Sequence, residues 1–314
     1  MEKKKKFKIP FFGSRKNSHR RRRSNWYIYL ISFAATLSLL CLIVLALSDV
    51  LFAGGNSNQP RNRYGGNSYY VPDASLDNTV LFMLSDEQGG VPDKFMLMNY
   101  RPRDEVIVLV PLNKQTLVAS GGGASTLTEL YSEGGAGLVT TGIEKTLGIK
   151  CGYYISLTRS SFLSLTDDLG LIAMSLPYDF VWGNSNFPAG DNKLTGNELF
   201  NYMFHADYPQ AGSNFDLVIT GSALTSFINY NLKELEPKTI QDTFKKILNN
   251  AATDMTFKAF TEYQQAFLYN SQNSTNPASY YIPTGVYDDE NDEFSLSNQA
   301  IVEIINRFNL AGIS

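Results

Sequence analysis

The chain has 314 residues, with 27 Lys and Arg against 30 Asp and Glu, two Cys and two His. That length suits one large domain with an accessory segment, and 43% hydrophobic with only 18% charged residues excludes a disordered or collagen-like body. Two cysteines exclude a disulfide scaffold and two histidines a His-rich metal site.

The net charge of −3 conceals an asymmetry, because residues 1–25 carry eleven Lys/Arg and a single Glu while the remaining 289 carry 16 and 29. Residues 26–48 explain the basic tail. From Trp26 to Ser48 there is no charged side chain over 23 residues, and about 20 apolar residues suffice to cross a bilayer as a helix. Lys3–Lys6, Lys8, Arg15, Lys16 and Arg20–Arg23 precede it, which predicts a cytoplasmic N-terminus, with Trp26, Tyr27 and Tyr29 at the headgroups. The alternative is a cleaved signal peptide ending near Ala46-Leu47-Ser48, but a signal peptide's apolar region usually runs only ~7–15 residues. Membrane lipid is therefore the expected partner of the basic tail, and nucleic acid is not expected. Residues 49–77, rich in Gly, Asn and Arg, read as a flexible stalk, and 78–314 as the folded extracytoplasmic body.

Within the body, Thr79–Leu84 predicts a buried strand, and Lys94–Tyr100 with Val106–Pro111 a hairpin turned by Arg101-Pro102-Arg103-Asp104, whose charges are expected in solvent. Gly121-Gly122-Gly123 reads as a flexible loop, since no Gly-Lys-Ser/Thr follows to make a phosphate loop. Leu127, Leu130, Tyr131, Leu138, Ile143 and Leu147 recur at helical spacing and predict two helices around Gly134-Gly135. Strands are expected at Gly152–Leu157 and Leu171–Leu176, with a helix at Ser160–Leu169 between them. Further helices are expected at Leu194–Phe204, Val218–Asn231, Thr239–Asn250, Asp254–Leu268 and Asn298–Phe308, with a last strand at Tyr280–Ile282. This alternation predicts an α/β domain with a buried sheet and helices on both faces. Cys151 stands alone in the body and reads as a small core residue. The run Asp288–Glu293 lacks the central Gly and spaced Glu of a calcium loop and reads as a solvated acidic turn.

Several segments together carry a stronger signal. Leu84-Ser85-Asp86, Pro92-Asp93-Lys94-Phe95-Met96 and Leu112-Asn113-Lys114-Gln115-Thr116 fall at the ends of successive candidate strands. Leu130-Tyr131 with Gly134-Gly135, Ile149–Ile155, Leu169-Gly170 and Phe187–Gly190 leading to Leu194-Thr195-Gly196 follow in order. This order and spacing resembles the LytR-CpsA-Psr family of cell-envelope proteins. The resemblance implies a central mixed β-sheet flanked by helices on both faces, on a single N-terminal transmembrane helix in a bacterial cell membrane, with the C-terminal domain extracellular. It also implies an activity: transfer of a glycopolymer from a polyprenyl-pyrophosphate lipid to peptidoglycan, using arginines and a carboxylate-bound Mg²⁺. A diphosphate leaving group needs positive charge where negative charge develops, and the planar fork of Arg grips phosphate oxygens in pairs.

Taken residue by residue, the resemblance weakens at the chemistry. Asp86 and Asp93 match the family's early carboxylates and are the candidate metal ligands. The family's Arg-Asp-Thr appears as Lys114-Gln115-Thr116, and its Tyr-x-Arg-x-Arg as Tyr202-Met203-Phe204-His205-Ala206, so both of those arginines are missing. No Arg lies between Arg159 and Arg307. The expectation is therefore a non-catalytic relative that retains fold and anchor and acts in envelope assembly. The alternative is a divergent phosphotransferase. In it Lys114 and Asp93 carry the chemistry, Lys114, Thr116, Arg159 and Lys193 bind substrate, and Asp86 with Asp93 holds Mg²⁺. A membrane-anchored sensor or adhesin domain stays open on topology alone.

Overall fold

The computed structural model describes residues 70–86, 90–167, 170–205, 214–232 and 237–309, all within one unit spanning Ser68–Ser314. The basic tail, the 26–48 span and most of the expected stalk lie outside the described residues. Among the described residues, no helix is long and apolar enough to cross a membrane.

Three consecutive strands form the centre: β1 (Asn78–Ser85), β2 (Lys94–Arg101) and β3 (Val106–Leu112), antiparallel in turn. The β2–β3 turn closes through Glu105, whose φ of 57° places a non-glycine residue in the left-handed region. Beyond β1 lies β6 (Tyr153–Thr158), parallel to it, and then the short β11 (Ala252–Thr253); beyond β3 lies β12 (Ala278–Tyr280), parallel to it. The sheet is thus mixed, in the order β11-β6-β1-β2-β3-β12.

Its strands are apolar on both faces, and alternation sorts their side chains into two cores. Leu81, Met83, Phe95, Leu97, Val108 and Val110 pack on one face beneath α1 (Leu127–Leu147) and α7 (Asn298–Asn309). Met96, Tyr100, Ile107 and Leu109 face the other way, against α4 (Phe215–Asn231) and α6 (Phe257–Asn273). A third core joins α2 (Arg159–Thr166), β7 (Ile172–Leu176), β10 (Gly190–Leu194) and α3 (Gly196–His205), and a fourth joins α5 (Pro237–Asn250) to α6.

The two helices expected around Gly134-Gly135 form one rod with a break. Gly134 leaves helical geometry and Gly135 takes φ 66°, ψ −161°, a combination open in practice to glycine alone. The Gly121–Gly123 segment, expected as a loop, forms the turn of a hairpin, β4 (Leu117–Ala119) with β5 (Ala124–Thr126), closed by the Ser120 N–H donating to the Gly123 carbonyl at 2.9 Å. Two further hairpins have no counterpart in the sequence expectation: β8 (Phe180–Trp182) with β9 (Ser185–Phe187), and β13 (Gly285–Asp288) with β14 (Glu293–Leu296). Residues 70–77, expected in the stalk, pack on the domain instead. Tyr70 meets Tyr269 edge-on at 6.3 Å, Pro72 is buried, and Asp73 caps a 3-10 turn at Ala74–Leu76.

The expectation of solvated charge in the first hairpin turn fails at Arg101. As the last residue of β2 it is carried inward on the same face as Leu97 and Asn99, is only 6% exposed, and reaches Asp104 at 3.8 Å. Cys151 is largely enclosed, and burial, with smaller contributions from Glu144 and Asp254, pushes its thiol up to about 12, so it stays protonated and inert at neutral pH.

Candidate functional site

The C-terminal ends of β1, β3 and β6 and the start of β2 lie at one end of the sheet, the end where α/β sheets commonly place ligands. Asp86 follows β1. The loop after it returns with the Asp93 N–H donating to the Leu84 carbonyl at 3.0 Å, which delivers Asp93 and Lys94 to the start of β2. Lys114 follows β3 in a tight turn: Asn113 Oδ1 accepts from the Gln115 N–H at 2.8 Å, and the Asn113 carbonyl accepts from the Thr116 N–H at 2.9 Å. Arg159 opens α2, one residue after β6, where Thr158 caps the helix by accepting from the Ser161 N–H.

Each cation brought here is held by an aspartate. Lys114 Nζ donates to Asp93 Oδ1 at 3.1 Å, and Lys94 Nζ donates to Asp216 Oδ1 in the first turn of α4. Arg159 Nη1 donates to Asp86 Oδ1 at 3.2 Å, and its Nη2 to Asn197 Oδ1 and Asn201 Oδ1 at 3.0 and 3.1 Å. The guanidinium also lies 4.8 Å above the Phe200 ring. A cation at a helix N-terminus opposes the macrodipole, so Asp86 and the two amide oxygens are what keep Arg159 there. Asn197, Asn201 and Phe200 all come from α3, whose capping box is reciprocal: the Thr195 N–H donates to Glu198 and the Glu198 N–H to Thr195 Oγ1. The start of α3 approaches α2 so closely that a Cβ at Gly196 would stand 1.8 Å from Thr166 Oγ1, which excludes any side chain there.

Phe204 and His205 at the end of α3 have a defined structural job. Phe204 stacks on Phe200 at 4.2 Å and lies under the Lys94 ammonium at 5.1 Å. His205 stacks on Trp182 at 5.3 Å, with Nε2 3.9 Å from Asp86 Oδ2. Gln115 ties three elements together. Its Nε2 donates to Asp292, its Oε1 accepts from Thr128 Oγ1 at 3.0 Å, and its carbonyl accepts from the Phe294 N–H at 2.8 Å. Asp292, within the acidic turn, also accepts from the Tyr287 hydroxyl. Asp288 in the same turn accepts from the Glu290 N–H and the Asn291 amide, which holds its carboxyl below the usual range.

Two recesses open around Lys114. One, of about 360 Å³, is lined by Asp93, Lys94, Lys114, Gln115, Asp216 and Asp292 among others; its neighbour, of about 660 Å³, shares Asp93, Lys114 and Gln115 and adds Glu129 and Glu133. Their lining residues include five carboxylates, Asp93, Asp216, Asp292, Glu129 and Glu133, against two ammonium groups.

The candidate residues divide accordingly. Lys114 and Asp93 meet at the recess, and Asp86 meets Arg159 beside it. Thr116 is fully buried, with its hydroxyl lacking a hydrogen-bond partner and its carbonyl accepting from the Leu127 N–H, which makes it a brace for the start of α1. Lys193 is exposed on β10 opposite Ala173 and lines neither recess. Lys94, Asp216, Asn197 and Asn201 were not singled out from sequence. Among the described residues, no three His, Cys, Asp or Glu side chains gather as a metal site. The residues present do not fit a divalent cation, because Asp86 and Asp93 each neutralise a basic group and Asp86 does not line the recess.

Comparison with known proteins places this geometry. The polyisoprenyl-teichoic acid–peptidoglycan teichoic acid transferase TagU of Bacillus licheniformis is 23% identical over 194 residues, covering 60% of this chain and 63% of that protein, so the match spans under two thirds of the relative. A solved structure described as a putative transcription regulator from Eubacterium siraeum superposes with a TM-score of 0.68 at 20% identity, covering 75% of this chain and 92% of that one. TagT bound to LIIa-WTA superposes with a TM-score of 0.60 at 16% identity, covering 77% and 93%. These structural likenesses establish a shared fold. The family model agrees with them across the whole described domain: from residue 67 to residue 309 this chain belongs to the LytR_cpsA_psr family.

Proposed function

We propose that this chain is a membrane-anchored cell-envelope protein, with residues 26–48 as its single span and the domain outside the membrane, that acts in cell-wall glycopolymer assembly without itself transferring the polymer. The charge balance of the recess carries the reading. A polyprenyl diphosphate would bring several negative charges to two adjoining recesses whose carboxylates together outnumber their ammonium groups five to two, and three to two in the recess that holds both lysines. The cations present are already partnered, so binding a diphosphate would first break Lys94–Asp216, Lys114–Asp93 or Arg159–Asp86 and leave a bare carboxylate beside the phosphates. The transferase names of the relatives support the envelope context and the polymer and peptidoglycan as partners.

One observation favours a second reading, a divergent glycopolymer–peptidoglycan phosphotransferase. Lys94 and Lys114 open onto one recess together with Asp93, so two donors and a carboxylate do converge. The test uses the full-length protein in detergent with a polyprenyl-pyrophosphate-linked glycopolymer, peptidoglycan and Mg²⁺. The polymer is expected to stay on its lipid. Mg²⁺-dependent transfer that disappears in Lys114→Ala would overturn the non-catalytic reading and establish the second.

A further inference from the structure

The hairpin β8–β9 joins no other strand and stands at the recess end of the domain, where Trp182 stacks on His205 beside Asp86. Two residues, Gly183 and Asn184, turn it, and Gly183 takes the φ of 59° that so tight a turn needs. The inner side of the hairpin is accounted for: Phe180 is buried, stacked on Phe187 at 6.0 Å and edge-on to Tyr202 at 5.1 Å. The outer side is apolar without a partner. Val181 is 66% exposed, Tyr178 44% and Trp182 37%.

Single exposed apolar residues are ordinary. Here three fall within five positions, and across 171–190 the only charged residue is Asp179. Its carboxylate is turned to the backbone, where it accepts from the Ala189 N–H at 2.7 Å. Isolated two-stranded hairpins are marginal in water, and edge strands are normally blunted with Lys or Pro. Neither β8 nor β9 contains one.

The size and composition of the patch select its partner. At ~150–250 Å² per aromatic side chain, the three residues expose on the order of 300 Å². That falls well short of the ~800 Å² a side of a stable protein–protein interface. A chain already held at a surface needs far less, because its second contact is intramolecular. Trp and Tyr favour the headgroup boundary of a bilayer, where one side of the ring is apolar and the other wet. Ser48, the end of the expected span, and Tyr70, the start of the described domain, are separated by 21 residues, which reach at most about 70 Å. A domain of this length is about 45 Å across, so the tether admits contact by either end of the sheet.

We propose that the β8–β9 hairpin is a membrane-docking element that seats Tyr178, Val181 and Trp182 in the headgroup boundary of the lipid bilayer. The proposal rests on the anchor at 26–48 and not on whether the recess transfers polymer. Because the patch carries no free charge, docking requires neither anionic lipid nor low salt.

Nitroxide accessibility in the full-length protein, reconstituted in phosphatidylcholine vesicles, tests this. With Cys41→Ala, single labels are placed through Val181→Cys, Val71→Cys, Val286→Cys or Leu40→Cys; Cys151 stays, its enclosed thiol being inert. Val71 and Val286 are 57% and 71% exposed and lie away from the hairpin, so all three domain labels replace side chains already in the open. Oxygen collects in lipid and a nickel chelate stays in water. The oxygen-to-nickel ratio at 181 is expected to be severalfold above that at 71 and 286, to keep its value in high salt, and to fall toward theirs when Trp182→Asp is added. A label at 181 as wet as that at 286, with the label at 40 in lipid, overturns the docking alone. A wet label at 40 removes the anchor and the docking with it. A ratio raised at 71 instead of 181 would seat the other end of the sheet on the bilayer and equally overturn the proposal.

Discussion

The two ends of the central sheet handle their cations differently. At the end where β1 and β3 finish, Lys94, Lys114 and Arg159 each meet an aspartate, and two asparagines absorb the remaining donors of Arg159. At the other end, Asn99 and Arg101 are buried with polar atoms unmet. The strands between are the same, and so is the apolar core beneath them, from Leu81 to Val110. What differs is the fit of the ion pairs: each cation at the first end donates a hydrogen bond to its aspartate, whereas Arg101 only approaches Asp104 at 3.8 Å and leaves Nε and Nη1 without an acceptor. Cations gathered at the ends of strands are stable there only if they acquire internal counter-ions, because a buried charge left alone is costly.

The strongest way to break this contrast is to remove a counter-ion at the first end. Lys94 is the most enclosed of the three cations, its side chain 11% exposed, whereas Asp216 is 58% exposed. Asp216→Ala leaves the ammonium over Phe204 with no carboxylate and takes a favourable acid from the first turn of α4, so urea unfolding should show a loss of about 1–3 kcal/mol. The double change Lys94→Met with Asp216→Ala should recover most of it. A double variant as unstable as Asp216→Ala would show that Asp216 acts through something other than this pair.

The other end should respond differently. Replacing Asn99 and Thr79 together, by Leu and Val, removes both members of their hydrogen bond along with the unmet Asn99 atom. Apolar groups of similar shape should leave stability within about 1 kcal/mol of the parent. A loss much above that in the same urea titration would mean the Asn99 amide is already satisfied.

How far this contrast could be read from sequence differs along the chain. The β1, β2 and β3 runs were legible because their apolar residues are continuous and their turn carries Pro102 and Asp104. The helix break at Gly134-Gly135 was legible because paired glycines interrupt a clear 3.6-residue period. The hairpins β8–β9 and β13–β14 were not. Strands such as Ser185–Phe187 are too short and too polar to show a period of two. At the candidate site, Asp86, Asp93 and Lys114 were singled out because they lie in segments at the ends of candidate strands that resemble the family's order and spacing, and Arg159 was added as a further cation. Their pairing was invisible: Asp216 is 122 residues from Lys94, and local spacing carries no information at that distance. The burial of Thr116, a substrate-binding candidate, was invisible because the bridge from Phe294 that covers it comes from the unanticipated β13–β14 hairpin. Arg101 was misjudged because turn chemistry spoke for solvent while strand alternation pointed it inward.

Not every pair at the first end should matter equally. Lys114 and Asp93 are both substantially exposed, 48% and 38%, so their attraction works through water. A double-mutant cycle with Lys114→Ala and Asp93→Ala should give a coupling of about 0.2–1 kcal/mol that shrinks as salt rises. A coupling of several kcal/mol, unaffected by salt, would place this pair with Lys94–Asp216 and make Lys114 unavailable to any ligand.

The finest probe is the carboxyl of Asp77 at the other end. Desolvation raises its pKa above the ordinary 3.8, Asp104 adds to the rise, and Arg101 and Arg103 oppose it. For an acid, a raised folded-state value means that the folded chain holds the proton more tightly than the unfolded chain does. That contribution to stability is fully present below the unfolded value and fades as pH climbs through the folded one. Melting temperatures of the parent and Asp77→Asn should therefore converge at low pH and separate just above the ordinary carboxylate range, with the asparagine variant the more stable. A gap of the opposite sign would mean that Arg101 and Arg103 outweigh desolvation and Asp104 together at this position.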